Sequence, residues 1–427
     1  MPHLPRFGRS ARLMVGASAL TTLGAIAPFL VGSQAVLLMR DLGFGAGQLG
    51  LVVSTFFAVA ALVTILGGPL IERFGDSRGH LLGGLLVAAG SFGVALLVQE
   101  VIGLVAALAL LGAGNAICQG TSNRTVATLL PAHRRGLGFG LKQSAVPAAI
   151  MLGGLAVPTT TAYLGWRATF AIVGSIGLLV ALTALARLLL NGGSRPEPAP
   201  RRGGKKGEKR HTGLDKAPWG PLLLCGAAIT AASAAANFLG AYLASWAHEV
   251  GLTVGQAGVL MAAGSGTSIL VRIASGFQAD RRYGANLPVV ATMMLVGGVS
   301  VALLGALPTP WAVVVLGFVA FAVGWSWPGL MLYAVARLGR DAPTSASSVV
   351  QAGAFVGGAL GPLAFGLVVS LVSFQGAWWV AAVAFTLAGV LTLLARRGFR
   401  KDLERRPPME PFGYGGGRRE PRFTTGG

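Results

Sequence analysis

GPLIERFGDSR, residues 68–78, sets four charged side chains between two apolar runs, Gln48–Ile71 and Leu81–Val98. A variant, GFQADRRYG, stands at residues 276–284, again flanked by apolar runs. Gly68 and Gly276 are 208 residues apart. The same offset carries Glu72 to Asp280, Arg73 to Arg281, Asp41 to Glu249, GQLG at 47 to GQAG at 255, and Gln143 to Gln351. So many landmarks at one spacing mean that the second half of the chain repeats the first. The second copy differs by an extra Arg282 before Tyr283-Gly284 and by the loss of its basic end.

Composition says what is repeated. Of 427 residues, 53% are hydrophobic and 11% charged, where a soluble domain carries about a quarter charged. The mean hydropathy is +0.69. The apolar runs reach the ~20 residues that a helix needs to cross a hydrocarbon core of about 30 Å. Spans are expected at 13–38, 47–71, 80–98, 101–129, 138–162 and 165–190, then at 218–246, 255–278, 287–306, 310–336, 345–371 and 376–396. The basic, apolar opening RFGRSARLMVGASAL has the look of a secretory leader. Its apolar run continues too far for one and shows no A-x-A end, so it is read as a retained first span.

The fold class is therefore an all-α polytopic membrane protein, twelve transmembrane helices in two pseudo-symmetric six-helix bundles. The expected division is a first bundle at 1–190, a basic linker at 191–217, a second bundle at 218–397 and a disordered tail at 398–427. The linker is rich in Gly, Pro, Arg and Lys, a composition that does not bury a core.

Lysine and arginine fall on one side of these spans. Arg6, Arg9, Arg12, Arg73, Arg78, Arg134, Arg135, the linker, Arg281, Arg282, Arg337, Arg340 and the tail share it, against Arg40 and Arg167 opposite. By the positive-inside rule both termini are expected in the cytoplasm, with the protein in a cell (inner or plasma) membrane. The net charge of +20 is then a topology signal with some attraction to anionic lipid, and no nucleic-acid partner is expected. The excess of arginine over lysine, with abundant glycine and alanine, points to a GC-rich bacterial genome. Cys118 and Cys225 lie inside apolar runs and the five histidines are scattered, so no metal, cofactor or disulfide framework is expected. An enzyme would cluster acids, histidines or cysteines at a membrane face; none is seen, and the chain is read as not an enzyme.

With its glycine, acid–arginine pair, second glycine and basic end, GPLIERFGDSR resembles the loop signature of the major facilitator superfamily. The resemblance runs from about Arg12 to Arg397, and the doubled signature with twelve spans makes it specific. It implies secondary transport by alternating access, with the first, fourth, seventh and tenth spans lining a cavity. It also implies a conformational latch, here Gly68, Glu72, Arg73, Gly75 and Arg78, with Gly276, Asp280 and Arg281 in the second copy. Gly68 would let two helices approach closely. Glu72, at a helix carboxyl end, would seek an arginine or another helix's amino end.

The candidate solute contacts are the polar residues inside spans. No Asp or Glu lies in a span interior, which argues against a carboxylate-driven proton mechanism and against cationic substrates. The interior charges are Arg124, Lys142 and Arg272, each open to two readings: a side chain that snorkels to headgroups, or a contact in the solute pathway. Asn115, Gln119 and Asn123 recur every fourth position and stripe one face of span four. Gln34, Gln143, Gln351, Asn237, Tyr242 and Trp325 complete the set, with interhelical hydrogen bonding as the plainer role for many of them.

Arg272 lies eight residues before Asp280, and its counterpart at the repeat offset is Thr64. An arginine at that spacing resembles the one that holds the anion in monocarboxylate, oxalate and nitrate porters. GLKQSAVP and LGWRATF resemble bacterial small-anion and cyanate-permease-like porters. The function expected is transport of a small solute, most simply an anion, by a monomer. Drug or metabolite efflux on the same fold is the alternative, and a receptor or scaffold the non-transport one.

Overall fold

A computed structural model describes residues 8–129, 135–190, 217–279, 286–339 and 343–406. Among these residues twelve helices are long and apolar enough to span a membrane. In chain order they are α1 Ser10–Ser33, α2 Ala46–Gly67, α3 Gly75–Leu96, α4 Val101–Val126, α5 Gly140–Leu164 and α6 Trp166–Leu190. The second six are α7 Trp219–Glu249, α8 Val254–Ala279, α9 Asn286–Ala306, α10 Pro310–Leu338, α11 Ser348–Leu371 and α12 Phe374–Arg405. The helices settle into two compact units. One holds residues 1–201 with 240–262, the other 202–239 with 263–427.

The repeated GQ pairs have a local cause. Gln48 folds back so that its Oε1 accepts from the Gly45 backbone N–H at 3.1 Å. Gln256 does the same for Thr253 at 2.9 Å, and the Thr253 hydroxyl accepts from the Gln256 N–H at 3.2 Å. The second is a full capping box and the first, with glycine at the cap, keeps the glutamine half; both satisfy orphan donors at the starts of α8 and α2. The repeat therefore marks where a helix begins, in both halves.

The expected loop between α2 and α3 is shorter than the sequence suggests. Helix runs through the charged stretch and is interrupted at Gly75 alone, with φ 72 and ψ 172. That backbone is strained for any residue with a Cβ, so one glycine turns the chain where several loop residues were expected. Span one is likewise not one helix: it breaks at Gln34 (φ −106, ψ 12), and a separate short helix covers Ala35–Leu42.

Close packing rests on small residues. Gly353, Gly357 and Gly361 form a stripe along α11 against Gly226, Thr230 and Ala234 of α7, both in the second unit. A methyl at these glycines would stand 2.7 Å from the Gly226 carbonyl oxygen, 2.3 Å from that of Thr230 and 2.4 Å from that of Ala234. In the first unit a methyl at Gly32 would stand 2.4 Å from the Gly240 oxygen, and one at Gly154 would stand 2.5 Å from that of Gly258. Backbones touch here, as small-residue helix packing in membranes requires.

LGWRATF also has a structural task. The Arg167 guanidinium donates to the Val98, Val94 and Ala95 carbonyls at 2.7, 3.3 and 3.4 Å, closing the carboxyl end of α3. It stacks on Trp166, whose indole donates to Asp41 at 2.9 Å. That hydrogen bond, with Arg40 beside it, holds the Asp41 carboxyl below its ordinary range against the opposing effect of burial.

Candidate functional site

The polar residues expected to meet the solute divide between the two units. In the first, the α5 residue Lys142 is 2% exposed and its Nζ donates to Gln119 Oε1 of α4 at 2.8 Å. A buried ammonium is costly unless an anion or several acceptors surround it. Gln119 offers a neutral oxygen, and among the described residues no carboxylate lies within ion-pair distance of Lys142. One turn away on α4, the buried Asn115 keeps its Oδ1 without a hydrogen bond among the described residues. Lys142, Gln119 and Asn115 therefore form one polar patch in an otherwise apolar bundle.

Other members of the set are committed elsewhere. Arg124 Nε stands 3.3 Å from Asp76 Oδ1, with the two side chains 17% and 30% exposed. This pair ties α4 to the first turn of α3. The partner of Arg124 was not among the latch residues expected from sequence. Asp76 sits three residues after Arg73, and only the turn at Gly75 brings it to α4. Gln34 is buried and donates to Thr169 of α6 at 3.0 Å. Tyr242 has no exposed surface, and its hydroxyl donates to the Ala46 carbonyl at 2.6 Å. Asn123 and Gln143 are half-buried.

The second unit centres on a broken helix. After Val319, α10 widens into a π-turn over Ala320–Gly324, and Trp325 leaves helical geometry at φ −102, ψ 14. The helix restarts at Trp327 with Pro328 in its first turn, where a missing N–H costs nothing. The disruption thus precedes the proline, and wide turns of this kind recur at functional sites. The Trp325 ring stacks on Phe321, centroids 5.7 Å apart.

Arg272 reaches the break from α8. The side chain is buried at 8% exposure, and its guanidinium donates to the Trp325 oxygen. It is turned into the second unit and does not snorkel along α8. One turn earlier on the same face, Ser268 shares a 2.8 Å hydrogen bond with Ser326, which also donates to the Ala322 carbonyl at 2.6 Å. Ser265 is buried beside them with no partner for its hydroxyl among the described residues. The sequence singled out Arg272 and Trp325 but not these serines; Ser268 and Ser265 stand four and seven residues before Arg272, a helical spacing that was the available sign. Asn237 bonds its own helix at Ser233, and Gln351 is half-buried on α11.

The latch is only partly described. Gly68, Glu72 and Arg73 lie on helix, but their side chains fall outside the described residues, as do Asp280 and Arg281 entirely. Gly75 makes the turn reported above and Arg78 is exposed. Among the described residues no atom lies within 4 Å of a Cβ built at Gly276.

A family model described as the Major Facilitator Superfamily matches residues 13–233 and 223–421. The "Chloramphenicol resistance protein" of Streptomyces lividans is 29% identical over 327 residues, 76% of this chain and 80% of that protein. The "Probable sulfoacetate transporter SauU" of Cupriavidus necator is 30% identical over 156 residues, 35% of this chain and 34% of that one. In three dimensions the chain is similar to a bacterial homologue of the human lysosomal transporter Spinster, solved in an inward-facing, unoccupied conformation. The TM-score is 0.69 at 17% identity, covering 92% of this chain and 98% of that one. At that identity the likeness concerns fold alone.

Proposed function

We propose, for a chain that belongs to the Major Facilitator Superfamily and carries a small solute across the membrane, that the solute is a small anion. A monocarboxylate or a similarly planar organic or inorganic anion fits the chemistry, moved by alternating access. One observation carries the reading: each unit buries a cation against a neutral oxygen, Lys142 on Gln119 and Arg272 on the Trp325 carbonyl. A charge in the membrane interior is expensive to keep and marks a solute path more often than packing. Arg272 can offer two parallel hydrogen bonds to a carboxylate, and Lys142 a point charge. The partial likeness to a protein named for sulfoacetate agrees with an anionic cargo.

Efflux of an amphiphilic drug is the second reading, favoured by the longer alignment with the chloramphenicol resistance protein. The two separate in cells. A strain expressing the chain should take up labelled short carboxylates faster than the deletion strain while its chloramphenicol sensitivity stays unchanged. Raised drug resistance without anion uptake would select the second reading instead.

The protein is further read as a monomer of a bacterial inner or plasma membrane, and the arginine distribution supports a cytoplasmic position for both termini. Single cysteines at Lys206 and Glu249 should react with an impermeant maleimide from opposite faces of oriented vesicles. Reaction from the same face would overturn the orientation.

A further inference from the structure

The first unit contains a cavity of about 460 Å³ that none of the proposed solute contacts lines. It opens where α1 begins, α3 begins, α4 ends and α6 ends, so it lies at the linker end of the helices. Its walls carry Arg12, Asp76, Ser77, His80, Thr125 and Arg187. The rest is apolar, chiefly Leu13, Leu20 and Leu129.

The charges of this cavity do not cancel among themselves. Asp76 is paired with Arg124, which leaves Arg12 and Arg187 with no ion pair or hydrogen bond among the described residues. His80 donates through Nδ1 to the Asp76 carbonyl at 2.6 Å. Its Nε2 is left to accept from a P–OH group when neutral, or to donate when protonated. Two guanidiniums from different helices, with the hydroxyl of Ser77 beside them, suit a tetrahedral oxyanion; the Thr125 hydroxyl donates to the Thr121 carbonyl at 3.1 Å and is left to accept from a protonated phosphate oxygen. The volume is that of a ligand pocket and exceeds what a bare ion fills, and the leucine wall would cover an apolar extension of the same molecule.

We propose that this cavity binds a phosphate-bearing anion, with Arg12 and Arg187 as its paired contacts and the phosphate carried either by an anionic lipid headgroup or by a soluble phosphate ester. Binding here is independent of the transported solute. It would brace α1, α3 and α6 by holding their ends together, and so raise the stability of the folded protein.

The test is thermal unfolding of the purified full-length protein in a neutral detergent. Probes are phosphatidylglycerol, phosphatidylcholine, glycerol 3-phosphate and inorganic phosphate, each with wild type, with the double variant Arg12→Gln/Arg187→Gln, and with Arg396→Gln/Arg397→Gln. The last pair removes the same charge from exposed positions of α12. A rise in Tm of roughly 3 °C or more with phosphatidylglycerol, kept in the α12 variant and lost in the cavity variant, supports the site with a lipid source. The same pattern with glycerol 3-phosphate and not with the lipid supports it with a soluble source. Three results overturn it: equal shifts in the cavity variant, equal shifts with phosphatidylcholine, or no shift with any probe. Because both arginines are exposed, their replacement leaves packing intact, and Arg12→Lys/Arg187→Lys should recover part of the shift.

Discussion

Replacing Arg272 with lysine should leave the protein expressed and folded yet cut anion transport about tenfold or more, and Arg272→Ala should abolish it. The guanidinium occupies a buried position on α8 and reaches the Trp325 carbonyl at the broken turn of α10. Lysine keeps the charge but is shorter and cannot present two parallel donors, so a planar anion loses one charge-assisted hydrogen bond and its orientation. A loss of about 1.4 kcal/mol is tenfold in affinity. The reading is a rise in KM for the anion with an unchanged quantity of monodisperse protein. If Arg272 serves only to hold α8 against α10, lysine should instead lower the melting temperature while the KM of the surviving protein stays at the wild-type value.

The second large effect is structural. Gly357→Leu should prevent the second unit from packing, seen as loss of monodisperse protein on size exclusion. At this position even a methyl would stand 2.3 Å from the Thr230 oxygen and 2.8 Å from the Ala234 nitrogen. Both are backbone atoms of α7, which cannot rotate away as a side chain would. Overpacking by a methylene or two costs about 1–3 kcal/mol where neighbours can give; here α7 and α11 must separate along the stripe. Gly276→Leu, where a Cβ has no described atom within 4 Å, should be tolerated by the same measure. Similar expression of the two variants would mean that α11 does not rest on α7 as described.

Spans were legible in the sequence because every membrane-crossing helix must satisfy one solvent, the hydrocarbon, along its whole length. The repeat was legible too, and Gln48 and Gln256 show why: each caps a helix start, a local task written in four residues. What stayed hidden depends on rotation and breakage. That Asp76 would meet Arg124 is not legible, because a one-glycine turn at Gly75 and a longer loop read alike in sequence. Gln119 was seen as part of a stripe, but that Lys142 would reach it depends on how α5 is turned against α4. The π-turn over Ala320–Gly324 has no marker in AFAVG, and the Trp325 picked out by its polarity lies one residue past the turn's end. The glycines of α11 recur at every fourth position, but glycine is frequent throughout membrane helices and its spacing does not say which neighbour it faces.

The arginine and the lysine matter only if an anion is carried, and reconstitution measures that directly. Purified protein in proteoliposomes should accumulate labelled short carboxylates or carry out their exchange, with unlabelled planar anions competing and chloramphenicol and neutral sugars not. Arg272→Ala and Lys142→Met vesicles should match empty liposomes. Saturable transport of a neutral or cationic compound, undiminished by either substitution and with no movement of any anion, would contradict the account.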